Sequence, residues 1–329
     1  MAQTTARLNP SSDSLSLPAL LQRALTVNKP LAVVGLGFIL FTAVTAIGLA
    51  VDPRTVLNAP AWLKPFKFGI STAFYSFTLL WMLNFVQGHR RLVSVSAWIT
   101  AVGFAVEIAL ITLQAVRGVP SHFNFTTPFD GALYSVMGTI IMAVWLAGLL
   151  AVILLMRQPL TDQAFGWAVR LGLITALAGA GVGALMTQPT PANIDYITEH
   201  QAPPPTIGAH GVGATDGGPG LPIVGWSIEG GDLRVGHFVG LHGMQMIPLL
   251  AWLLLQRFPR LGAGRRLALA WTVGLGYLGL TGLLTWQALR GQSLIAPDAL
   301  TLGVLAALML AVTGAMVMII RSSNRAINA

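Results

Sequence analysis

The sequence predicts an all-α integral membrane protein with eight transmembrane helices, arranged in two related four-helix halves with both termini cytoplasmic. Three observations predict this fold class. Of the 329 residues, 54% are hydrophobic and only 9% are charged, whereas a soluble domain has roughly a quarter charged residues. Eight apolar runs have the length of about twenty residues that a helix needs to cross a bilayer. Two segments in equivalent positions of the halves also resemble each other.

The eight apolar runs follow one another along the chain, and none alternates as a membrane strand would. The predicted spans are 31–51, 66–87, 92–116, 129–156, 165–186, 234–256, 267–289 and 299–320. They divide the chain into a tail (1–30), a first half (31–160), a second half (161–320) and a second tail (321–329). The first run lies behind a polar tail and is long enough to remain a span, so no cleaved signal peptide is expected.

The positions of lysine and arginine predict the orientation. With the N-terminus inside, thirteen of the nineteen basic residues fall on the cytoplasmic side, as the positive-inside rule requires. Five of the six histidines then lie outside or in the outer half of the membrane. We therefore expect a bacterial cytoplasmic (inner) membrane protein whose chemistry faces outward. This topology explains the net charge of +8 without a nucleic-acid partner.

An internal repeat supports the two halves. The third span ends in ITLQAVRG (111–118) and the seventh in LTWQALRG (284–291), which are identical at five of eight positions. The shared residues include a glutamine and an arginine, and chance similarity between apolar segments is the alternative. Because each half has four spans, both halves have the same orientation, and a site is expected between them.

The only long loop, 187–233, is rich in proline and glycine and has too little apolar sequence for a core of its own. A loop of this length is usually either a functional lid or disordered. Trp226 and Ile223 favour a lid that rests on the helices.

Two ionisable residues are predicted at a similar depth in the membrane. Glu107 lies about ten residues from the outer end of span three and His242 about nine residues into span six, so both are roughly 15 Å deep. Intramembrane ionisable groups normally face a partner or a cavity. The functional interpretation is a catalytic or proton-carrying pair, and the alternative is a hydrogen bond that fixes helix packing. Gln245 shares a face with His242, and Gln114 with Glu107.

Nitrogen and oxygen donors near the outer side suggest a metal or heme site, because neutral imidazole and carboxylate suit zinc, iron or copper. His237 and His242 are five residues apart, about 140° around a helix, so they face different neighbours. The candidate metal ligands are His237, His242, His122, Glu107 and Asp130, with His210 as a further candidate. The sequence contains no cysteine, which excludes disulfides and thiolate ligands.

Five cations are predicted at the outer rim, and two of them occupy equivalent places in the repeat. A heme propionate, a lipid headgroup or another anionic amphiphile would bind such a rim. The alternative is ordinary pairing with Asp52, Asp130, Asp232 and Asp298. The rim cations are Lys64, Lys67, Arg117, Arg234 and Arg290.

The segments WLKPFKF, RGVPSHFNFTTPFDGALYSVMG and GGDLRVGHFVGLHGMQ resemble an uncharacterised group of bacterial multipass membrane proteins, a resemblance that implies no activity. The plan of two four-helix halves is also similar to that of heme A synthase. This similarity implies histidines that bind heme on spans two, four, six and eight, of which the sequence has His237 and His242 on span six.

Three functions are consistent with these features. The leading hypothesis is an outward-facing His/Glu site that binds a metal or heme for redox or cofactor-maturation chemistry. In this interpretation Glu107 and His242 are the catalytic residues, and the cofactor is held by His237, His242, Gln245, Gln114, Arg117, Arg290, Lys64 and Lys67. The second hypothesis is a proton-coupled carrier or binding protein for an anionic lipid or a small solute. The third is a structural or assembly subunit of a membrane complex.

Overall fold

The computed structural model describes residues 17–325. Most of this part of the chain is helical, and the strands are two short antiparallel pairs. The first strand pair is β1 (Thr55–Val56) with β2 (Ala59–Pro60), and the second is β3 (Gly211–Val212) with β4 (Gly231–Asp232). The helices are α1 (Leu17–Val27), α2 (Lys29–Val51), α3 (Leu63–Leu83), α4 (Arg90–Arg117), α5 (Pro128–Met156), α6 (Gln163–Met186), α7 (Pro191–His200), α8 (Leu233–Leu241), α9 (Gly243–Arg257), α10 (Ala263–Leu289) and α11 (Ala299–Arg325).

The described residues include six helices that are long and apolar enough to cross a membrane, and the bent pair α8–α9 is a seventh candidate. The protein is therefore an all-α multipass membrane protein. Each predicted span coincides with a helix or with the α8–α9 pair, but α3 is not among the seven candidates. The predicted N-terminal tail contains α1, while its first sixteen residues and residues 326–329 lie outside the described part.

Span six is not continuous. Its two helices, α8 and α9, are bent by 52° at His242, whereas Pro248 lies inside α9. Glycines explain the position of the break, because Gly240 packs directly against the backbone of Gly179, and Gly243 packs against Thr175. The Tyr277 hydroxyl donates to the Val239 carbonyl at 2.9 Å and so satisfies an acceptor near the break, as buried backbone in a membrane requires.

The helices form two groups. In the first, α2 packs on α3 and α4, and α4 packs on α5; in the second, α6 packs on α8, α9 and α10, and α10 packs on α11. In the apolar stretch of the segment that includes α6, 56% of the residues are buried, whereas 0% of the residues are buried in the apolar stretch of α11. The α6 helix is therefore central and α11 lies at the edge. The groups meet where Trp145 Nε1 donates to the Leu177 carbonyl at 3.0 Å and Gln245 donates to Thr78 at 3.0 Å.

Four connections lie together at one end of the helices, which we call the loop face: residues 52–62, 118–127, 187–232 and 290–298. Hydrogen bonds join them, for example from Asn58 to the Gly217 carbonyl and from Ser293 to the Ser227 carbonyl. Arg54 also donates to the Val116 carbonyl at the end of α4. At the opposite end, the Gln87 amide donates to Gln158, and Arg266 pairs with Asp162.

The long loop is a folded cap, a name we use for residues 187–232. It contains α7, β3 and β4, and its backbone pairs with the α4–α5 connection through Phe125 N–Pro205 O at 2.8 Å and Ile207 N–Phe123 O at 3.0 Å. Beneath it, Phe123 is buried with Met186 and Leu233. The predicted role of Ile223 is wrong, because its side chain is 82% exposed. Trp226 does contact the bundle, with its ring 5.6 Å from that of Phe238.

Candidate functional site

Three ionisable side chains meet beneath the cap. Lys64 begins α3, Glu107 lies in α4, and His122 lies in the connection after α4. The Lys64 ammonium lies 3.0 Å from His122 Nδ1, and His122 Nε2 lies 3.7 Å from Glu107 Oε1. Because the ammonium can only donate, Nδ1 accepts and Nε2 carries the ring proton toward the carboxylate. We call these three residues the Lys–His–Glu chain.

Local sequence explains the position of His122. The α4 helix ends at Arg117 and is capped by Gly118, whose φ of 73° is favourable for glycine and turns the chain back over the bundle. Asn124 then accepts from Thr126 N and Oγ1, and its amide donates to the Pro120 carbonyl. These bonds close the loop and direct His122 toward α3 and α4.

Glu107 is 2% exposed, and its Oε2 has no hydrogen-bond partner among the described residues. The hydroxyl of Tyr134, on α5, is also buried without a partner in the described part of the chain, and it interacts electrostatically with Glu107. A buried polar atom without a partner carries a substantial desolvation cost. Two such atoms together suggest a position that a ligand or water occupies.

Two further histidines face the same region. His210, in the cap, lies with Nδ1 2.7 Å from Asp216 Oδ2, and His237, on α8, lies with Nδ1 2.8 Å from the Gly179 carbonyl. Carboxylate and carbonyl oxygens only accept, so both Nδ1 atoms donate and both Nε2 atoms keep a free lone pair. Electrostatic interactions link His210 with His237, and both with His122.

Aromatic rings separate the polar groups. The Phe123 ring lies 4.9 Å from that of His210 and 5.7 Å from that of Tyr134, both edge-on. The His122 ring lies 6.0 Å from that of Tyr134 and 6.3 Å from that of Phe68. These rings make the surroundings of the charged groups apolar, which strengthens electrostatic interactions between them.

Burial favours the neutral form of His122, in the α4–α5 connection, and of His210, in the cap. Burial lowers the pKa of His122 well below its ordinary value, and the Lys64 charge lowers it further. Burial also lowers the pKa of His210, although Asp216 partly opposes this effect. Burial alone would raise the pKa of Asp216, but hydrogen bonds from the His210 ring and from the His210 and Gly211 amides lower it to about 2.

The predicted Glu107–His242 pair is absent among the described residues. Glu107 approaches His122 instead, while His242 donates through Nδ1 to the Phe238 carbonyl of its own helix at 2.9 Å. The break of span six turns the chain at His242, so depth along a straight helix did not predict its partner. Of the two histidines on this span, His237 is the one that interacts with the other site histidines.

The predicted metal ligands are not gathered into one centre. No group of three or more histidine, aspartate or glutamate side chains in residues 17–325 is placed to hold a metal ion. Asp130 binds Arg117 at 2.5 Å and Gln114 at 2.9 Å, and it also accepts from Thr127. Its acceptor sites are thus occupied within the protein.

The rim cations are mostly paired, as the alternative interpretation predicted. The four aspartates form ion pairs as Asp52–Arg54, Asp130–Arg117, Asp232–Arg234 and Asp298–Arg290. Lys67 donates to the Val224 carbonyl of the cap at 3.1 Å, and Gln245 contacts Thr78 away from the loop face. Of the predicted rim, Lys64 is the cation that interacts electrostatically with Glu107.

Sequence reasoning missed Tyr134 and Asp216. Tyr134 follows Asp130 by one helical turn, so a helical projection of α5 would have placed it on the inward face. Asp216 lies six residues after His210 in a glycine-rich stretch, and no helical or strand period connects the two. Comparison with protein-family models, with curated proteins and with solved structures gives no match.

Proposed function

We propose that this protein is a proton-coupled carrier or binding protein for a small solute. The solute binds beneath the cap, and Glu107 exchanges the proton. The observation that carries the proposal is the buried Glu107 carboxyl group, with one oxygen next to His122 and the other without a partner. Ionisable groups of this kind in membrane proteins mark solute pathways and proton relays.

The place of the site in the fold supports the carrier interpretation. The Lys–His–Glu chain and Tyr134 belong to the first helix group, His237 belongs to the second, and His210 belongs to the cap. A site formed between two helix groups beside a broken helix is typical of secondary transporters. Movement of one helix group relative to the other would change the distances between the site residues of the two groups. This change would alter the affinity of the site for the solute.

The finer topology is part of the proposal. We propose eight spans in two related halves, with α3 as the second span. In support, α3 begins at the loop face, where Lys64 contacts His122, and the chain after it reaches Gln158 at the opposite end. The repeated segments also have similar surroundings, since Arg117 and Arg290 each pair with an aspartate at the start of the next helix. The positive-inside rule supports the further proposal that the loop face lies outside a bacterial inner membrane.

A chemical label tests the role of Glu107. Dicyclohexylcarbodiimide reacts with protonated carboxyl groups in apolar surroundings, so we expect it to modify Glu107 in native membranes, more at pH 6 than at pH 8. Glu107→Gln should abolish this labelling, and Glu229→Gln, at an exposed residue of the cap, should leave it unchanged. Absence of labelling at both pH values would contradict a protonatable, accessible Glu107.

Uptake distinguishes a carrier from a binding protein. Proteoliposomes carrying a pH gradient would be supplied with a radiolabelled amine, amino acid, monocarboxylate and sugar in turn. A carrier takes up one of them only when the gradient is present, and Glu107→Gln removes this dependence. Binding without uptake by the wild type would indicate a binding protein. The absence of both binding and uptake would overturn the proposal.

A metal or heme protein is the second candidate. The observation that favours it is the pair His210 and His237, each with Nδ1 held by an oxygen acceptor, which is how metal-binding histidines are usually oriented. Metal analysis and an absorption spectrum of the detergent-purified protein test this candidate. A stoichiometric metal or a Soret band that is lost in His237→Gln would favour it over the carrier.

A further inference from the structure

We infer that the solute is a small monocarboxylate that binds as its anion at Lys64 and Lys67. This inference rests on the proposed function, because it names the chemical class of the solute for the same site. The observation that carries it is a pair of neighbouring lysines without a carboxylate partner, at an end of the helices where four arginines each pair with an aspartate.

The two lysines have donors and charge to spare. No carboxylate oxygen of the described residues lies within 4.0 Å of the ammonium nitrogen of Lys64 or Lys67. Lys64 donates to His122 Nδ1 at 3.0 Å, and Lys67 donates to the Val224 carbonyl at 3.1 Å. Because an ammonium group has three N–H donors, each lysine keeps donors for a further acceptor. Both side chains are partly buried, and charges removed from water are normally paired.

The lysines belong to one cationic region. They are three residues apart in the first turn of α3 and therefore lie on one side of the helix, with Cβ atoms about 5–6 Å apart. Electrostatic interactions connect the two lysines with each other and with Arg234, at the start of α8. Arg234 donates to the Gly225 carbonyl at 2.6 Å, next to the carbonyl that accepts from Lys67. A bound anion would reduce the repulsion between these cations.

The balance of charge connects the anion with the proton on Glu107. The charges that interact in this region are those of Lys64, Lys67, Arg234, Glu107, Asp216 and Asp232. The cations and the carboxylates balance when Glu107 is charged. When Glu107 is protonated, one positive charge is in excess, and one carboxylate solute restores the balance. The solute and the proton therefore favour each other's binding.

The groups that face Glu107 are consistent with this coupling. Among the described residues they are Lys64 from α3, Tyr134 from α5 and His122 from the connection after α4. The α2 helix also packs on α4, but its one ionisable residue, Lys29, lies at the opposite end of the helices. Burial favours the neutral form of His122. Lys64 is therefore the cation whose charge is uncovered when Glu107 takes up a proton.

The surroundings of Lys64 suit an organic anion. Its ammonium lies 5.9 Å from the centre of the Phe68 ring, and the Phe68 and Tyr134 rings lie 6.3 Å and 6.0 Å from that of His122. The buried Tyr134 hydroxyl has no partner among the described residues and can donate to a carboxylate oxygen, as can a protonated Glu107. A carboxylate on a short apolar chain thus finds cations for its charge and rings for its chain.

The test compares small molecules that differ in charge. Calorimetry on detergent-purified protein at pH 6 would use sodium propionate, propionamide, methylammonium chloride and sodium chloride. We expect saturable binding of propionate alone, because propionamide has nearly the same shape without the charge. Absence of propionate binding, equal binding of propionate and propionamide, or chloride binding as tight as that of propionate would overturn the inference. Binding of methylammonium alone would overturn it as well.

Variants locate the bound anion. Loss of one hydrogen bond to a charged group weakens binding by about tenfold to a hundredfold. We expect this loss in Lys64→Gln and in Lys67→Gln. Lys67→Arg keeps the charge and a donor for the Val224 carbonyl, so it should bind nearly as the wild type and guards against misfolding. Lys29→Gln, at the exposed start of α2, is the matched control. Unchanged affinity in both glutamine variants, or a loss in Lys67→Arg as large as in Lys67→Gln, would overturn the inference.

The pH dependence tests the coupling to Glu107. Simple carboxylates stay ionised between pH 6 and pH 8, so a change of affinity over this range reports protonation of the protein. Because the protonated site has the excess positive charge, we expect propionate to bind more tightly at pH 6 than at pH 8. Glu107→Gln, which resembles the protonated form, should bind propionate equally at both pH values.

The two proposals fail differently. If Glu107 is labelled and drives uptake of an amine or a sugar, the carboxylate inference fails and the carrier remains. If propionate binds through Lys64 and Lys67 with the same affinity at both pH values, and Glu107→Gln changes neither labelling nor uptake, the proton-coupled function fails and the carboxylate site remains.

Discussion

Glu107 and Asp130 are both carboxylates with 2% of their surface exposed, but their surroundings differ. Asp130 accepts hydrogen bonds from Arg117, Gln114 and Thr127, so its carboxylate is paired and hydrogen-bonded within the protein. Glu107 has one unpartnered oxygen and a histidine at 3.7 Å. At the scale of single residues, completeness of hydrogen bonding distinguishes Asp130, a structural acid, from Glu107, for which we propose proton exchange.

Asp130→Asn should therefore reduce stability more than function. It removes the charge that pairs with Arg117, and loss of hydrogen bonds to a charged group costs about 2 kcal/mol. We expect a clear fall of the thermal unfolding midpoint in detergent, with carbodiimide labelling of Glu107 retained. Asp298→Asn, at the more exposed pair with Arg290, is the control and should lower the midpoint less. Equal shifts would mean that burial does not distinguish the two pairs.

The cap should dock less tightly at pH 5 than at pH 7. The folded pKa of His210 lies below its ordinary 6.5 because of burial, so the docked cap favours the neutral ring. This contribution is complete above pH 6.5 and is lost as the pH falls toward the lower pKa of the folded state. Asp216, with a pKa of about 2, stays charged over this range.

Limited proteolysis of the cap measures this effect. Cleavage of the wild type should accelerate from pH 7 to pH 5, and His210→Gln should reduce the acceleration. His122 has a pKa shift of the same sign, so part of the pH dependence should remain in that variant. His200→Ala should behave as the wild type. An acceleration of equal size in His210→Gln would assign the pH dependence to other groups.

At the scale of helices, apolar length predicted where the helices lie but not how span six is broken. Proline is a usual cause of a helix kink, and Pro248 lies inside α9, but the chain bends at His242, because glycines allow α6 and α8 to touch there. A Cβ on Gly179 would lie 2.5 Å from Gly240 Cα. Such a contact depends on two segments about sixty residues apart, and no periodicity within either segment predicts it. The close approach also places the Gly179 carbonyl beside His237.

Gly179→Ala should therefore destabilise the protein by about 1–3 kcal/mol, the usual cost of overpacking. It should also weaken solute binding, because His237 would lose its fixed orientation. Gly181→Ala, two residues further along α6, meets nothing within 4 Å and should be neutral or slightly stabilising. Unfolding midpoints in detergent compare the two variants, and equal midpoints would argue against the direct α6–α8 contact.

At the scale of the whole molecule, the sequence predicted the class of protein and the end of the helices at which the polar residues gather. It identified Glu107, His122 and Lys64 separately, but it paired Glu107 with His242 from their depths alone. The actual partner, His122, lies in a loop, and the rise per residue of a helix does not predict how deep a loop residue lies in the membrane. The same holds for His210 and Asp216, which join the site because the cap folds over it.

Placement of the loop face outside the membrane is the prediction that concerns the molecule as a whole. The sequence has no cysteine, so single cysteines can be introduced without background labelling of native cysteines. Ile223→Cys and Ile295→Cys lie at exposed positions of the loop face, and His89→Cys and Arg260→Cys at exposed positions of the opposite end. In intact cells, a membrane-impermeant maleimide should label the first two, and the other two only after permeabilisation. The reverse pattern would place the cap in the cytoplasm, and labelling of all four positions in intact cells would contradict the α8–α9 pair and α10 as spans.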